Sequence, residues 1–183
     1  PSSLRLDGLK IVIDCANGAA YKVGPTILWE LGAEVISLNV NPDGTNVNKS
    51  SGSTNPKNLI STVKKTKADL GIALDGDADR CVLVDDRGRI VNGDLILGII
   101  ATKWKNKNIL KNNTVVGTSM TNSGLAKYFE KKNINFVRSE VGDRNIINEM
   151  KKNGLVLGGE PSGHIILSNM SSSGDGLLAS LEV

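Results

Sequence analysis

The stretch GIALDGDADRCVLV, residues 71–84, places a short acidic loop between two apolar segments of strand length. The flanking segments, GIAL and CVLV, have the composition of buried β-strands. Between them the carboxylates of Asp75, Asp77 and Asp79 stand at every second position, and Arg80 closes the run. In open α/β sheets, ligands bind in loops at the carboxyl ends of strands. The stretch therefore predicts an α/β fold with a binding loop at one strand end.

Three aspartates at this spacing repel one another unless a ligand offsets their charge. Two unit charges about 5 Å apart repel by roughly 3 kcal/mol at an effective dielectric of about 20. Carboxylate oxygens are hard ligands that suit Mg2+ or Ca2+. A solvated acidic turn without a ligand is the alternative, and the apolar strands on both sides argue against it. We therefore predict a divalent cation bound by Asp75, Asp77 and Asp79.

A calcium loop of the EF-hand type is the obvious competitor, and it fails at two positions. Its sixth position requires glycine, where this chain has Arg80, and its twelfth requires glutamate, where this chain has Asp86. The flanking segments also have the character of strands rather than helices. A small octahedral ion such as Mg2+, shared with a substrate phosphate, fits the pattern better.

The composition excludes several classes of protein. The 183 residues carry a formal net charge of +3 without a basic stripe interleaved with aromatics, which argues against a nucleic-acid partner. Cys15 and Cys81 stand alone, without metal or redox spacing, as expected for reduced thiols in a cytoplasmic protein. No apolar run reaches membrane-spanning length and no signal-peptide pattern opens the chain, so we expect no membrane partner.

Two halves of the chain follow one plan. Each half has a strand, a loop, a helix and a strand, running from LKIVID to AEVISLNV and again from NTVVGT to INFVRSEV. Each then reaches a strand–loop–strand segment, and GIALDGDADRCVLV aligns with GLVLGGEPSGHIIL without gaps. That alignment sets Asp77 on Glu160 and Asp79 on Ser162. The halves therefore predict two related domains.

The predicted fold class is α/β: two consecutive α/β/α domains of common topology with mixed sheets. A strand followed by a helix and another strand favours a right-handed crossover. The turn Asp85-Asp86-Arg87-Gly88 has the chemistry of a tight antiparallel hairpin. We place the domains at residues 1–107 and 108–183, divided in the polar stretch KWKNKNILKNN. We also expect the chain to be a fragment of a longer protein.

The second loop, GGEPSGH, differs in chemistry from the first. Glu160 and Ser162 offer groups that recognise sugar hydroxyls, and His164 is the single histidine of the chain. A plain turn with a structural histidine is the alternative. The equivalent position of this loop in the repeat favours a binding role.

At these two loops the sequence resembles the α-D-phosphohexomutase superfamily. LDGDADR is similar to its metal-binding loop and GGEPSGH to its sugar-binding loop. Further segments resemble the branch that acts on glucosamine phosphates: IDCANGAA, TSMTNSGL, VRSEVGDR and SSSGDGLLASL. The resemblance covers essentially all 183 residues. It implies domains 2 and 3 of a four-domain enzyme, with a phosphorylated serine on the missing domain 1 and a phosphate-binding loop on the missing domain 4.

The resemblance also implies roles for individual residues. The three aspartates would hold Mg2+ together with the phosphoserine, and Arg80 would face the transferring phosphoryl group as a catalytic residue. Glu160 and Ser162 would bind sugar hydroxyls, and His164 would line the site as a second catalytic candidate.

A third segment of the same cleft is implied at Gly142, Asp143 and Arg144, as substrate-binding residues. For Asp143 and Arg144 an internal salt bridge at a helix start is the alternative.

The implied reaction converts glucosamine 6-phosphate into glucosamine 1-phosphate through a bisphosphorylated intermediate, with Mg2+ as cofactor and a hexosamine phosphate as substrate. We expect the 183 residues alone to be inactive, because no phosphoserine loop is among them. Three alternatives stay open. They are a mutase of the same superfamily acting on mannose or glucose phosphates, a phosphatase of the DxD type, and a non-catalytic module that binds metal or sugar phosphate. For the phosphatase no catalytic lysine can be placed.

Overall fold

The fold is known from a computed structural model that describes residues 4–183, so residues 1–3 of the predicted first domain lie outside the described part. The chain divides into two compact units, unit 1 up to Val91 and unit 2 from Asn92 to Val183. Each unit interleaves helices with the strands of one mixed sheet. The predicted fold class is therefore confirmed.

Unit 1 contains five strands and two helices. The strands are β1 Lys10–Asp14, β2 Glu34–Leu38, β3 Leu70–Leu74, β4 Cys81–Asp85 and β5 Ile90–Val91, and the helices are α1 Val23–Glu30 and α2 Lys57–Thr66. The sheet order is β2-β1-β3-β4-β5, and β1 runs parallel to both β2 and β3. Strand β4 pairs antiparallel with β3 and β5. The carboxyl ends of β1, β2 and β3 therefore share one edge of the sheet.

Helix α2 packs on this sheet through a single apolar face. Its only fully buried side chains, among the described residues, are Leu59 and Val63, which are four positions apart and so share one helix face. They pack in one cluster with Val12, Ala73 and Val84 from three strands. These contacts fix the apolar face of helix α2 on one side of the sheet.

The predicted hairpin follows β4. The backbone N–H of Gly88 donates to the Asp85 carbonyl over 2.8 Å, and Gly88 has a φ of +80°. A residue without Cβ adopts that conformation at little cost. This turn closes the β4–β5 pair, as the sequence predicted.

Unit 2 repeats the plan of unit 1. Its strands are β6 Thr114–Thr118, β7 Asn135–Ser139, β8 Leu157–Gly159 and β9 Ile165–Leu167, and its helices are α3 Gly93–Asn106, α4 Ser123–Lys131, α5 Asp143–Asn153 and α6 Gly176–Leu181. The sheet order is β7-β6-β8-β9, with β6 parallel to β7 and β8, and β9 antiparallel to β8. Helix α5 covers this sheet with Ile146 and Met150. None of the helices within residues 4–183 is long and apolar enough to cross a membrane.

The domain boundary lies earlier than the sequence indicated. Helix α3 belongs to unit 2, where it packs on β8 and α4 and buries Trp104. The indole Nε1 of Trp104 donates to the Glu182 carboxylate over 2.9 Å, which ties α3 to the end of unit 2. The division at Val91 and Asn92 therefore replaces the predicted one near residue 107. Polar residues at the exposed end of a helix have the same composition as a linker, which explains the error.

Candidate functional site

The acidic loop begins directly where β3 ends, so Asp75 lies at the shared carboxyl edge of the parallel strands. Asp75, Asp77 and Asp79 each place one carboxylate oxygen within 4.8 Å of the others. Asp75 is fully buried, whereas Asp77 is exposed. The structure thus brings the three predicted ligands together, from a buried position to an exposed one. Hard oxygen donors of this kind suit Mg2+.

Arg80 is anchored to this cluster. Its Nε donates to Asp75 Oδ2 over 2.6 Å, and its backbone N–H donates to Asp75 Oδ1 over 3.1 Å. Burial alone would lower the pKa of Arg80, but the hydrogen bond and charge of Asp75, with the charges of Asp79 and Asp77, raise it above its ordinary value. A carboxylate has about four lone-pair sites, so Asp75 can bind Arg80 and a cation together. The catalytic role of Arg80 stays a prediction.

The loop after β1 lies against the acidic loop at Gly76. The backbone N–H of Ala19 donates to the Gly76 carbonyl over 2.7 Å. A Cβ added at Gly18 would collide with that same carbonyl. Only glycine permits this approach of two backbones. Sequence reasoning missed this contact, although IDCANGAA was among the segments that carried the resemblance.

The loop after β8 centres on Glu160. Its Oε1 accepts a hydrogen bond of 2.9 Å from the backbone N–H of Gly142. Among residues 4–183, its Oε2 accepts only a long hydrogen bond of 3.4 Å, from the hydroxyl of Ser162. Three residues predicted for sugar binding are therefore in contact. The weak bond at Oε2 leaves that oxygen able to accept from a ligand.

Asp143 and Arg144 open helix α5 and are exposed. The carboxylate of Asp143 accepts from the backbone N–H of the next residue, Arg144, over 2.7 Å. As an acidic residue in the first turn, Asp143 also lies at the positive end of the helix dipole. Among residues 4–183 no ion pair joins the two side chains, so the alternative of an internal salt bridge is not found. Their substrate-binding role stays a prediction.

His164 lies inside the fold, with 6% of its surface exposed. Its carbonyl accepts from the backbone N–H of Glu160 over 3.0 Å, which closes the turn of the loop. Its ring lies so close to Gly174 that a Cβ there would collide with it. This burial favours a role in holding the loop, and the predicted catalytic role is untested.

The start of helix α3 lies against the loop of residues 160–164. A Cβ at Gly93 would collide with the carbonyl of Glu160 and lie 2.6 Å from the backbone N of Gly163. The next residue, Asp94, accepts from the backbone N–H of Asn122 over 3.0 Å and so ties α3 to the loop after β6. Nothing in the sequence pattern indicated these contacts.

Family models match both units. The model of phosphoglucomutase/phosphomannomutase alpha/beta/alpha domain II matches residues 2–88, and that of domain III matches residues 92–183. These limits agree with the division between the two units.

Curated relatives match along the whole chain. It is 56% identical over 183 residues to the phosphoglucosamine mutase of Zymomonas mobilis, and 55% identical over 183 residues to that of Rhodopseudomonas palustris strain BisA53. Each match covers 100% of this chain and 41% of the relative. The chain thus spans about two fifths of the length of these relatives.

Solved structures share the fold. A phosphoglucomutase/phosphomannomutase family protein from Burkholderia thailandensis matches with a TM-score of 0.85 and 27% identity, over 98% of this chain and 40% of that one. An N-acetylphosphoglucosamine mutase from Aspergillus fumigatus, in complex with GlcNAc-6P and magnesium, matches with a TM-score of 0.68 and 23% identity, over 98% and 43%. The second match shows the fold alone. The chain therefore belongs to the phosphoglucomutase/phosphomannomutase family, as its two loops indicated, and carries the second and third α/β/α domains of that family.

Proposed function

We propose that this chain supplies the metal-binding and sugar-binding domains of a Mg2+-dependent mutase that converts glucosamine 6-phosphate into glucosamine 1-phosphate in the cytoplasm. The observation that carries the proposal is the cluster of Asp75, Asp77 and Asp79 at the end of β3, within 4.8 Å of one another. The relatives named phosphoglucosamine mutase support glucosamine phosphate as the substrate.

Unit 1 serves the phosphoryl group in this proposal. The three aspartates would hold Mg2+, which when bound neutralises charge on phosphoryl oxygens. Arg80, held on Asp75 by two hydrogen bonds, would offer its permanent positive charge to the same oxygens. Because Asp75 already orients Arg80, little reorganisation is needed when a phosphoryl group arrives.

Unit 2 serves the sugar. Glu160 is oriented by the Gly142 N–H and keeps one oxygen with only a long bond, so it can accept from an amino or hydroxyl group of a hexosamine. Ser162 is exposed and offers a hydroxyl beside it. Arg144 is an exposed cation at the start of a helix, where anions such as phosphate are favoured. His164 would hold the loop.

The phosphoryl donor is proposed to lie on domain 1 of the longer polypeptide, and a phosphate-binding loop on domain 4. The serine clusters at 51–54 and 171–173 do not include a histidine. A chain limited to these 183 residues is therefore expected to show no conversion above background. Turnover by it would contradict the four-domain proposal.

The test is an assay of the complete translation product with Mg2+ and catalytic bisphosphate. We expect conversion of glucosamine 6-phosphate to exceed that of mannose 6-phosphate and glucose 6-phosphate. Asp77→Asn should lower the rate by about a hundredfold or more. Asp86→Asn removes an equally exposed carboxylate from the hairpin turn and should not change it.

Faster conversion of mannose or glucose phosphate would support the neighbouring branch of the family instead. Binding of Mg2+ and sugar phosphate without conversion would support a non-catalytic module.

A further inference from the structure

We propose that Asp14 is a positioning residue for the acidic loop of residues 75–80, acting through backbone segments rather than by contact with the ion. The inference rests on the proposed function in one respect, that this loop binds Mg2+. Asp14 ends strand β1, and its side chain is fully buried. A buried carboxylate is costly unless its oxygens are hydrogen-bonded, so its partners decide what it does.

Asp14 joins two loops that are distant in the sequence. Its Oδ1 accepts from the backbone N–H of Ala16 over 2.9 Å, and its Oδ2 accepts from that of Gly52 over 3.0 Å. Hydrogen bonds to an ionised acceptor are the stronger kind. The neighbouring Ser51 hydroxyl is buried and finds no hydrogen-bond partner among residues 4–183, so that side chain does not hold the loop.

The second of these loops lies directly on the acidic loop. Gly52 has a φ of +66°, and a Cβ there would collide with the carbonyl of Leu74. That carbonyl belongs to the peptide unit immediately before Asp75. The position of Gly52 therefore limits where the Leu74 peptide, and with it the Asp75 side chain, can lie.

The first loop holds the other side of Asp75. Ala19 donates to the carbonyl of Gly76, and Gly18 packs against the same group. The two loops also contact each other, because the backbone N–H of Asn48 donates to the Ala16 carbonyl over 2.9 Å. The Leu74–Asp75 peptide and the Gly76–Asp77 peptide, on the two sides of Asp75, are thus both in contact with segments that Asp14 joins.

The substitution Asp14→Asn tests the two hydrogen bonds of Asp14 and changes the side-chain volume little. An amide has one acceptor oxygen, and its NH2 group would face a backbone N–H, so one of the two bonds is lost. Residues that hold metal ligands in place typically change metal affinity by about 10–100-fold when mutated. We expect the Mg2+ dissociation constant of Asp14→Asn to rise by about tenfold or more while the chain stays folded.

The measurement is an NMR titration of the 183-residue chain with Mg2+, following the backbone amides of residues 76–80. Asp69→Asn controls for the loss of a carboxylate that accepts from a strand backbone, because exposed Asp69 accepts from the Lys10 N–H over 2.8 Å at the other end of the same sheet. Its Mg2+ affinity should stay within about twofold of the wild type. Val63→Ala, in the core of unit 1, controls for loss of stability and should also keep its affinity.

Gly52→Ala separates position from charge. It displaces the segment that Asp14 holds without removing a carboxylate. We therefore expect it to weaken Mg2+ binding as well. It also tests the proposal if Asp14→Asn does not fold. Weaker binding by Asp14→Asn with unchanged binding by Gly52→Ala would mean that the charge of Asp14 acts, and positioning would be wrong. Unchanged affinity in Asp14→Asn would overturn the inference alone. No Mg2+ response in the wild type would overturn the proposed metal site and the inference with it.

Discussion

The loops after β3 and β8 occupy the same place in two sheets of one plan, yet their lengths and chemistry differ. Strand pairing bounds the first loop at residues 75–80 and the second at 160–164. The second loop is one residue shorter, so the ungapped alignment of the two segments cannot match both flanking strands. Related domains can therefore keep their strands while the loop between them changes length.

The comparison also separates what the loops share from what they do not. In each loop a backbone carbonyl lies against a glycine of another segment, Gly18 at the first loop and Gly93 at the second. In the first loop the contacts hold three carboxylates and the cation of Arg80, and in the second they hold the single carboxylate of Glu160. The shared feature is contact between backbone segments, whereas the side chains carry the difference in chemistry.

The largest effects are expected when a methyl group is added at each of these two glycines, which tests whether their contacts hold the loops. Gly18→Ala should displace the acidic loop, and Gly93→Ala should displace the loop of residues 160–164, called the sugar loop after its proposed ligand. In both cases the added Cβ would meet a backbone carbonyl. We expect each change to lower the free energy of unfolding by about 1–3 kcal/mol. Urea unfolding measures the cost. Titrations with Mg2+ and with glucosamine 6-phosphate should show that each variant loses one ligand and keeps the other.

Gly98→Ala is the control for Gly93→Ala, since both lie in helix α3. Its added methyl would meet only the movable tip of Leu125, at 3.0 Å. Alanine is favoured over glycine inside a helix by up to about 1 kcal/mol. If Gly93→Ala were as stable as Gly98→Ala, the close contact of Gly93 with the loop of residues 160–164 would not contribute to stability.

A buried and an exposed aspartate of the acidic loop should differ next in effect. Asp75→Asn disrupts two hydrogen bonds with Arg80 from a buried position and should cost about 1.5–3 kcal/mol of stability. Asp77→Asn is exposed and should change stability by no more than about 0.5 kcal/mol. Both should weaken Mg2+ binding in titration calorimetry. Equal Mg2+ heats in the wild type and Asp77→Asn would remove the metal assignment.

Glu160→Ala gives the matching measurement in the sugar loop. It removes an acceptor from the Gly142 N–H, and that single bond should be worth about 1 kcal/mol. Sugar-phosphate binding should weaken while the fold is kept. A loss of several kcal/mol would instead assign Glu160 a mainly structural role.

Alkaline pH should lower the stability of the fold at Cys15, the residue next to Asp14. Burial, and then the charge of Asp14, raise the pKa of the Cys15 thiol to about 12, from an ordinary value of 9.0. The unfolded thiol therefore loses its proton at lower pH than the folded one, and stability falls as pH rises from about 9 towards 12. Urea midpoints of the wild type should fall more steeply over this range than those of Cys15→Ala. Parallel slopes would show that Cys15 does not contribute.

The smallest expected effect is that of Ser162→Ala. The hydroxyl is exposed and lies 3.4 Å from the Glu160 carboxylate, so the free energy of unfolding should change by no more than about 0.5 kcal/mol. Glucosamine 6-phosphate binding should weaken slightly, by loss of one hydrogen bond. Thermal unfolding and an NMR titration measure the two quantities. A clear loss of stability would show that this hydroxyl supports the loop.

Local patterns determined much of this protein. Apolar segments of strand length bounded by polar loops predicted β1, β3, β4 and β6, and the turn at Gly88 predicted the hairpin. The spacing of the three aspartates predicted their convergence, because residues two apart at a strand end stay close however the rest of the chain folds. Repetition of the pattern predicted two related α/β domains.

Only the tertiary structure decided which segments pack together. Helix α3 follows unit 1 in the chain but packs in unit 2, and Asp14 reaches Gly52 across 38 positions. The glycines at 18 and 93 matter because distant backbone groups approach them, and His164 is buried because Gly174 leaves room for its ring. Propensity and spacing act over a few residues. Contacts between distant segments depend on how whole elements fill space, and a local pattern does not encode that.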